Sequence, residues 1–304
     1  MDETRSDLIK EIQELKDKRD AVILAHNYQL PEIQDIADVV GDSLALARAA
    51  AKVSQKVIVL CGVRFMAESA AILAPDKIVL LPAIDAGCPL ADMADAEAVR
   101  KKREEYPDAA VVVYVNTSAE VKAESDICCT SANAVRVVQS LKEKRIIFVP
   151  DQNLAAYVAA RVDKEIIAWP GYCPTHYRIE PSDVLRAKAA HPDALVLVHP
   201  EVRPEVAELA DFIGSTSQIL AFAKQTEAKT LIIGTEMGTL HQLQKDNRDK
   251  RFYLLSPKLV CPNMKRTTLV HVRNSLATLT PRITVPEDIR QRAVRALERM
   301  IQVG

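Results

Sequence analysis

Residues 109–134 read AAVVVYVNTSAEVKAESDICCTSANA. An apolar run of high strand propensity leads to Tyr114 and Asn116, a short polar stretch follows, and a second brief apolar run leads to Ser131. Two strands joined by helix-prone sequence, with no hairpin turn between them, predict parallel pairing under a crossover. The unbroken valines predict a strand buried on both faces.

The same pattern continues in both directions. RIIFVPD (145–151) and KEIIAWPG (164–171) complete a group of four predicted strands. Upstream lies a second group: AVILAHNY (21–28), ADVVGDS (37–43), KVIVLCG (56–62) and KIVLLPA (77–83). Downstream lies a third: ALVLVHPE (194–201), ADFIGSTS (210–217), TLIIGTE (230–236) and RFYLLSP (251–257). Ala-rich segments such as SLALARAAAKV have the composition of packed crossover helices.

Three groups of four invite a test for an internal repeat. Cys88, Cys173 and Cys261 each follow a fourth strand, 85 and 88 residues apart, and each precedes a proline (GCPL, YCPT, VCPN). His26 stands 62 residues before Cys88, Tyr114 59 before Cys173, and His199 62 before Cys261. Hydroxyls recur after the second strands, at Ser43, at Ser131, and at Ser215 and Thr216. The expectation is three similar α/β/α modules with four-stranded parallel sheets around a pseudo-threefold axis. They span 1–92, 93–178, and 179–304 with the C-terminal helices.

Ligands of open parallel sheets bind beyond the carboxyl ends of the strands. Every matched position lies at such an end, so modules packed with those ends inward would bring the three cysteines to one cavity. Soft thiolates select zinc, copper(I) or iron–sulfur clusters. Three ligands on a four-iron cluster would leave one iron free to act as a Lewis acid. Cys61, Cys128 and Cys129, within or just past apolar runs, read as small packing residues.

Other side chains are weighed by place. His26 and His199 share a strand-end position, and His176 follows Cys173 by three residues. Glu201 is either a general base or a solvated carboxylate. Tyr28, Tyr114 and Asn116 are candidate hydrogen-bond partners of carboxylates. The segments at Ser43, Ser131 and Ser215–Thr216 suit anion recognition at helix starts, where simple N-capping is the alternative for any one of them. His191, His241 and His271 read as surface or packing residues.

The 304 residues are 48% apolar and 27% charged, with a net charge of −1, which fits a globular chain and offers no basic footprint for nucleic acid. The charged start MDETRSDLIKEIQELKDKRD reads as an amphipathic helix without a signal-peptide core, and no apolar run approaches the ~20 residues of a membrane span. A cytoplasmic protein is expected. No dinucleotide or triphosphate glycine motif is present.

Taken together, AHNYQ (25–29), GDSLALA (41–47), DAGCPLADM (85–93), VYVNTSAEVKAESDICCTSANA (113–134), FVPDQNLA (148–155), WPGYCPTH (169–176), VHPE (198–201), GSTSQ (214–218), IGTEMG (233–238) and the Cys261 segment resemble the quinolinate synthase family. The resemblance implies a transferase of de novo NAD biosynthesis. It would condense iminoaspartate with dihydroxyacetone phosphate to quinolinate, losing phosphate and water, with functional coupling to the enzyme that supplies iminoaspartate. It implies one 4Fe–4S cluster per chain on Cys88, Cys173 and Cys261 with one iron open. The family's active-site positions fall on His26, Tyr28, Ser43, Tyr114, Asn116, Ser131, His176, His199, Glu201, Ser215 and Thr216. Tyr28, His199 and Glu201 are candidates for proton transfer, the hydroxyls and Asn116 for holding carboxylates and phosphate. Some members carry further cysteines around the third ligand. Here the segment is Cys261-Pro-Asn-Met-Lys-Arg, which excludes a dithiol switch at that place.

Rival readings are a zinc enzyme using the same three cysteines, a cluster-bearing redox sensor, and a plain structural repeat. The sensor and the structural repeat leave the many polar strand ends without a purpose.

Overall fold

The computed structural model describes residues 3–303. Twelve strands form three separate sheets. The first contains β1 (Ala21–His26), β2 (Val39–Gly41), β3 (Val57–Cys61) and β4 (Ile78–Leu80). The second contains β5 (Ala110–Tyr114), β6 (Ile127–Cys129), β7 (Arg145–Val149) and β8 (Glu165–Ala168). The third contains β9 (Leu195–Val198), β10 (Phe212–Ile213), β11 (Thr230–Gly234) and β12 (Arg251–Leu254). All pairings within them are parallel, and all three share one spatial order: second, first, third, fourth.

Burial explains the composition of the strands. β1, β3 and β5 are buried along their whole length, so both faces demand apolar side chains. The edge strands β8 and β12 contain exposed positions and carry Glu165, Arg251 and Tyr253. Cys61, Cys128 and Cys129 pack inside the core as expected; burial pushes the first two thiols up to about 12 and about 11.

An aspartate fixes the register at the entrance of each second strand. Asp38, Asp126 and Asp211 accept the backbone N–H of Ile23, Val111 and Val196, at 2.8, 2.8 and 2.7 Å, each across 15 residues. Each also pairs with a cation of the preceding helix, Lys16, Arg103 or Lys188. This is a further element of the repeat, carried by a single residue in ADVVG, SDICC and ADFIG.

The last two helices follow the third sheet in sequence and pack elsewhere. Leu269–Thr278 lies against the first helix, Glu3–Arg19, and β3, with Arg19 donating to the carbonyls of Leu276 and Ala277. Glu287–Val303 buries Ala293, Ala296, Leu297 and Met300, an i, i+3, i+4, i+7 stripe, against helices of the first two sheets. Asn133 of the second sheet's helices donates to the carbonyl of Met300. The C-terminal segment therefore fastens the first module to the second. Among the described residues, no helix is long and apolar enough to cross a membrane.

Candidate functional site

The carboxyl ends of all three sheets open on one cavity of about 150 Å³. Thirteen of the fourteen residues singled out from the sequence line it. The first sheet supplies His26, Tyr28, Ser43 and Cys88; the second, Tyr114, Asn116, Ser131, Cys173 and His176; the third, His199, Glu201, Thr216 and Cys261. Ser215 does not line it. Its hydroxyl accepts the N–H of Gln218 at 3.3 Å in a capping box, so the capping role describes that side chain.

His26 and His199 adopt the same local turn. Nδ1 of His26 accepts the N–H of Tyr28 at 3.1 Å, and Nδ1 of His199 accepts that of Glu201 at 3.3 Å. Burial lowers the pKa of His26 to about 4 and of His199 to about 3. Both rings are therefore neutral near pH 7, with the proton on Nε2. Nε2 of His199 then donates to Ser131 Oγ at 3.1 Å.

Glu201 is the sink of a polar chain drawn from all three modules. Tyr114 donates its hydroxyl proton to Oε1 at 2.6 Å, and Nδ1 of His176 lies 2.6 Å from Oε2. Nε2 of His176 meets Thr235 Oγ1 at 3.0 Å, Thr235 meets the Tyr28 hydroxyl at 2.7 Å, and Thr216 donates to that hydroxyl at 3.0 Å. With a neutral His176, one direction uses each donor once: Thr216 to Tyr28 to Thr235 to His176 to Glu201. The carboxyl of Glu201 is wholly buried, which disfavours its charge. The His176 Nδ1–H and the Tyr114 hydroxyl, which both donate to it, outweigh that cost and hold it well below the usual carboxylate range. Burial and the Glu201 charge push the phenols of Tyr28 and Tyr114 up.

These depressed histidines make a stability prediction for the metal-free chain. A histidine whose pKa falls on folding binds its proton in the unfolded chain first, so stability is lost as pH drops below about 6.5. His26 and His199 should each remove roughly 2 kcal/mol between pH 6.5 and 5. The urea midpoint should fall accordingly, with a shallower fall in His199→Gln. An equal pH slope in the two proteins would contradict it.

The three cysteines share one local design. Backbone N–H groups two or three residues on lie near each sulfur and favour its anionic form: Leu90 and Ala91 for Cys88, His176 for Cys173, Asn263 and Met264 for Cys261. The proline after each cysteine explains this, because its fixed φ starts a helical turn whose first N–H groups are free. Burial pushes Cys88 up to about 12 and raises Cys173 and Cys261 too. Thiols so desolvated stay protonated, whereas N–H donors aimed at sulfur favour an anionic, metal-bound form. The donor set thus fits a soft metal centre.

Spacing adds a constraint. Among the described residues, one group of three donors lies within 4.8 Å of one another, namely Cys173, His176 and Glu201. The three cysteines do not form such a group, so they are spread too widely to close on a single ion.

Sequence reasoning passed over Asp42, Thr235, Glu236 and Arg178. Asp42, Glu236 and Arg178 line the cavity, and Thr235 joins His176 to Tyr28. Thr235 and Glu236 follow β11 directly, and that strand-end position was the available signal. Gly238 lets two modules approach: a Cβ there would lie 2.8 Å from Asn27 O and Tyr28 Cα.

Comparison with known proteins bears on the whole chain. Residues 10–302 match the family described as NadA: Quinolinate synthetase A protein. A protein of Clostridium kluyveri named quinolinate synthase is 59% identical over 297 residues, 97% of this chain and 98% of its own. One of Methanoregula boonei with the same name is 59% identical over 301 residues, 99% of each chain. One of Alkaliphilus metalliredigens is 55% identical over 304 residues, the full length of both.

Proposed function

The chain belongs to the quinolinate synthetase A family, and from that premise we propose that it is an enzyme making quinolinate for NAD biosynthesis. In this reading it is a cytoplasmic transferase that condenses iminoaspartate with dihydroxyacetone phosphate, with phosphate and water leaving. It receives iminoaspartate from the enzyme that forms it. The three modules take the spans 1–92, 93–178 and 179–304, the last including helices that serve the other two.

The observation that carries this reading is the convergence of three N–H-supported cysteines and an ionised Glu201 with its donors on one cavity. Cys88, Cys173 and Cys261 would hold one 4Fe–4S cluster. Bound there, it would supply one iron without a protein ligand, a Lewis acid for a substrate oxygen.

The chain's own groups account for the rest. Neutral His26 offers an Nε2–H donor to oxygens of the bound substrates, while that of His199 orients the Ser131 hydroxyl. Asn116 Oδ1 is buried without a partner, and with Ser43, Ser131 and Thr216 it lines the region where carboxylates and phosphate would be held. Ser215 contributes through its cap, which sets the start of the helix carrying Thr216. Enolisation, imine formation and dehydration all move protons. Glu201 is placed to take one through His176, with His199 orienting Ser131 beside it, and Tyr28 to give one from its phenol.

A second reading rests on the close group Cys173, His176 and Glu201, which would suit one zinc ion. Anaerobic purification with iron, sulfide and zinc analysis, followed by a quinolinate assay with both substrates, separates the two. Near four irons and four sulfides per chain with quinolinate formed is the expected result. One zinc, no sulfide and no product would overturn the proposal.

A further inference from the structure

Two buried carboxylates stand outside the chain of donors to Glu201. Asp151 and Glu236 are each the second residue past the third strand of their sheet, since β7 ends at Val149 and β11 at Gly234. Both are completely buried. Each accepts the backbone N–H of a cysteine at 3.1 Å: Asp151 Oδ2 from Cys173, and Glu236 Oε1 from Cys261. The second oxygen holds the strand-end turn. Asp151 Oδ1 accepts from Asn153 and Leu154 at 2.9 and 2.7 Å, and Glu236 Oε2 from Gly238 at 2.7 Å and from Lys265 Nζ at 2.9 Å, an ion pair that offsets its charge.

The first module lacks this device. Val63 occupies the corresponding place after β3, and the Cys88 segment is held instead through Asn263 Nδ2 to Gly87 O at 3.0 Å and the Arg64 N–H to Ala86 O at 2.9 Å. Burying a carboxylate is costly, and an acceptor alone need not be charged. The same cost met twice, at equivalent positions and toward the same atom of two cysteines, calls for a function of that bond.

The geometry points to Asp151 and Glu236 as positioning residues for the metal centre, which fix the loops of Cys173 and Cys261 through the backbone N–H of each cysteine. The inference rests on the cluster reading above. Loops tethered through the ligand's own N–H slow ligand loss, and partners of this outer kind are worth 10- to 100-fold in metal affinity.

The test uses the full-length reconstituted protein and Asp151→Asn, Glu236→Gln and Asp211→Asn. Asp211 is the control: it accepts a backbone N–H of β9 and pairs with Lys188, and among the described residues it makes no hydrogen bond to a cysteine. Iron release to a chelator, followed by visible absorbance, should be 10- to 100-fold faster in the first two and unchanged in the third. The visible absorption of the loaded protein, and its electron paramagnetic resonance after reduction, should change in the first two and stay unchanged in the third, because only their tethers end on a cysteine. Thermal midpoints of the metal-free proteins identify any variant that fails to fold, and the other variant then decides. Normal loading by the wild type, with release rates and spectra of Asp151→Asn and Glu236→Gln equal to it, overturns this inference alone. A wild type that takes up no iron and sulfide overturns the cluster reading and this inference with it.

Discussion

Replacing Cys173 by alanine should leave a folded, colourless chain that binds almost no iron and forms no measurable quinolinate. Cys173 lines the cavity at the end of the second sheet, and two cysteines from other modules are too few to hold a cluster against chelation. The fold should survive, because Cys173 lies at the start of the short helix Pro174–Tyr177 and outside any strand. Its N–H would still reach Asp151 in the variant. The contrast is Cys128→Ala, in the wholly buried β6, which should cost about 1 kcal/mol of stability and keep full iron content. Iron and sulfide analysis beside circular dichroism decides both. A brown Cys173→Ala protein with wild-type iron would remove Cys173 from the ligand set.

Glu201→Gln should lower turnover by about 10²- to 10⁴-fold while iron content stays at the wild-type level. The reason lies in the direction of the hydrogen bonds. Tyr114 and His176 both donate to this carboxylate, and His199 stands 3.6 Å away. A glutamine of the same shape keeps one acceptor, brings a donor against a donor, and cannot take a proton. Tyr28→Phe should likewise keep the cluster and depress turnover, since Thr235 and Thr216 keep their places but lose the phenol between them. The readout is quinolinate formed per loaded chain. Wild-type turnover in Glu201→Gln would leave Glu201 a structural acceptor for the two donors.

Much of this molecule is legible in one dimension. Strands buried on both faces must be apolar throughout, so the twelve runs, their grouping in fours and the phase of the three Cys-Pro dipeptides follow from local chemistry. The same phase marks His26 and His199, whose matching turns are made by residues two apart. The three strand-entry aspartates share that repeat, 88 and 85 residues apart, but an acidic residue before a strand does not by itself say what it binds. Their role is known only once each is seen to reach back 15 residues to its neighbour strand.

Tertiary structure decided what lies between modules. Ser43, Ser131, Ser215 and Thr216 look alike in sequence, yet the backbone turns Ser215 to its own helix start and leaves the others on the cavity. Thr235 lies in the IGTEMG motif without a role of its own to read, and gains its place only because His176 and Tyr28 arrive from the other two modules. The final helix has a clear apolar stripe, but its partners are fixed by which groove remains open between the first two sheets. Local sequence specifies strands, turns and caps because their partners are a few residues away. Contacts across a threefold arrangement join residues far apart in sequence, 207 positions for Tyr28 and Thr235, and only packing of the completed modules selects them.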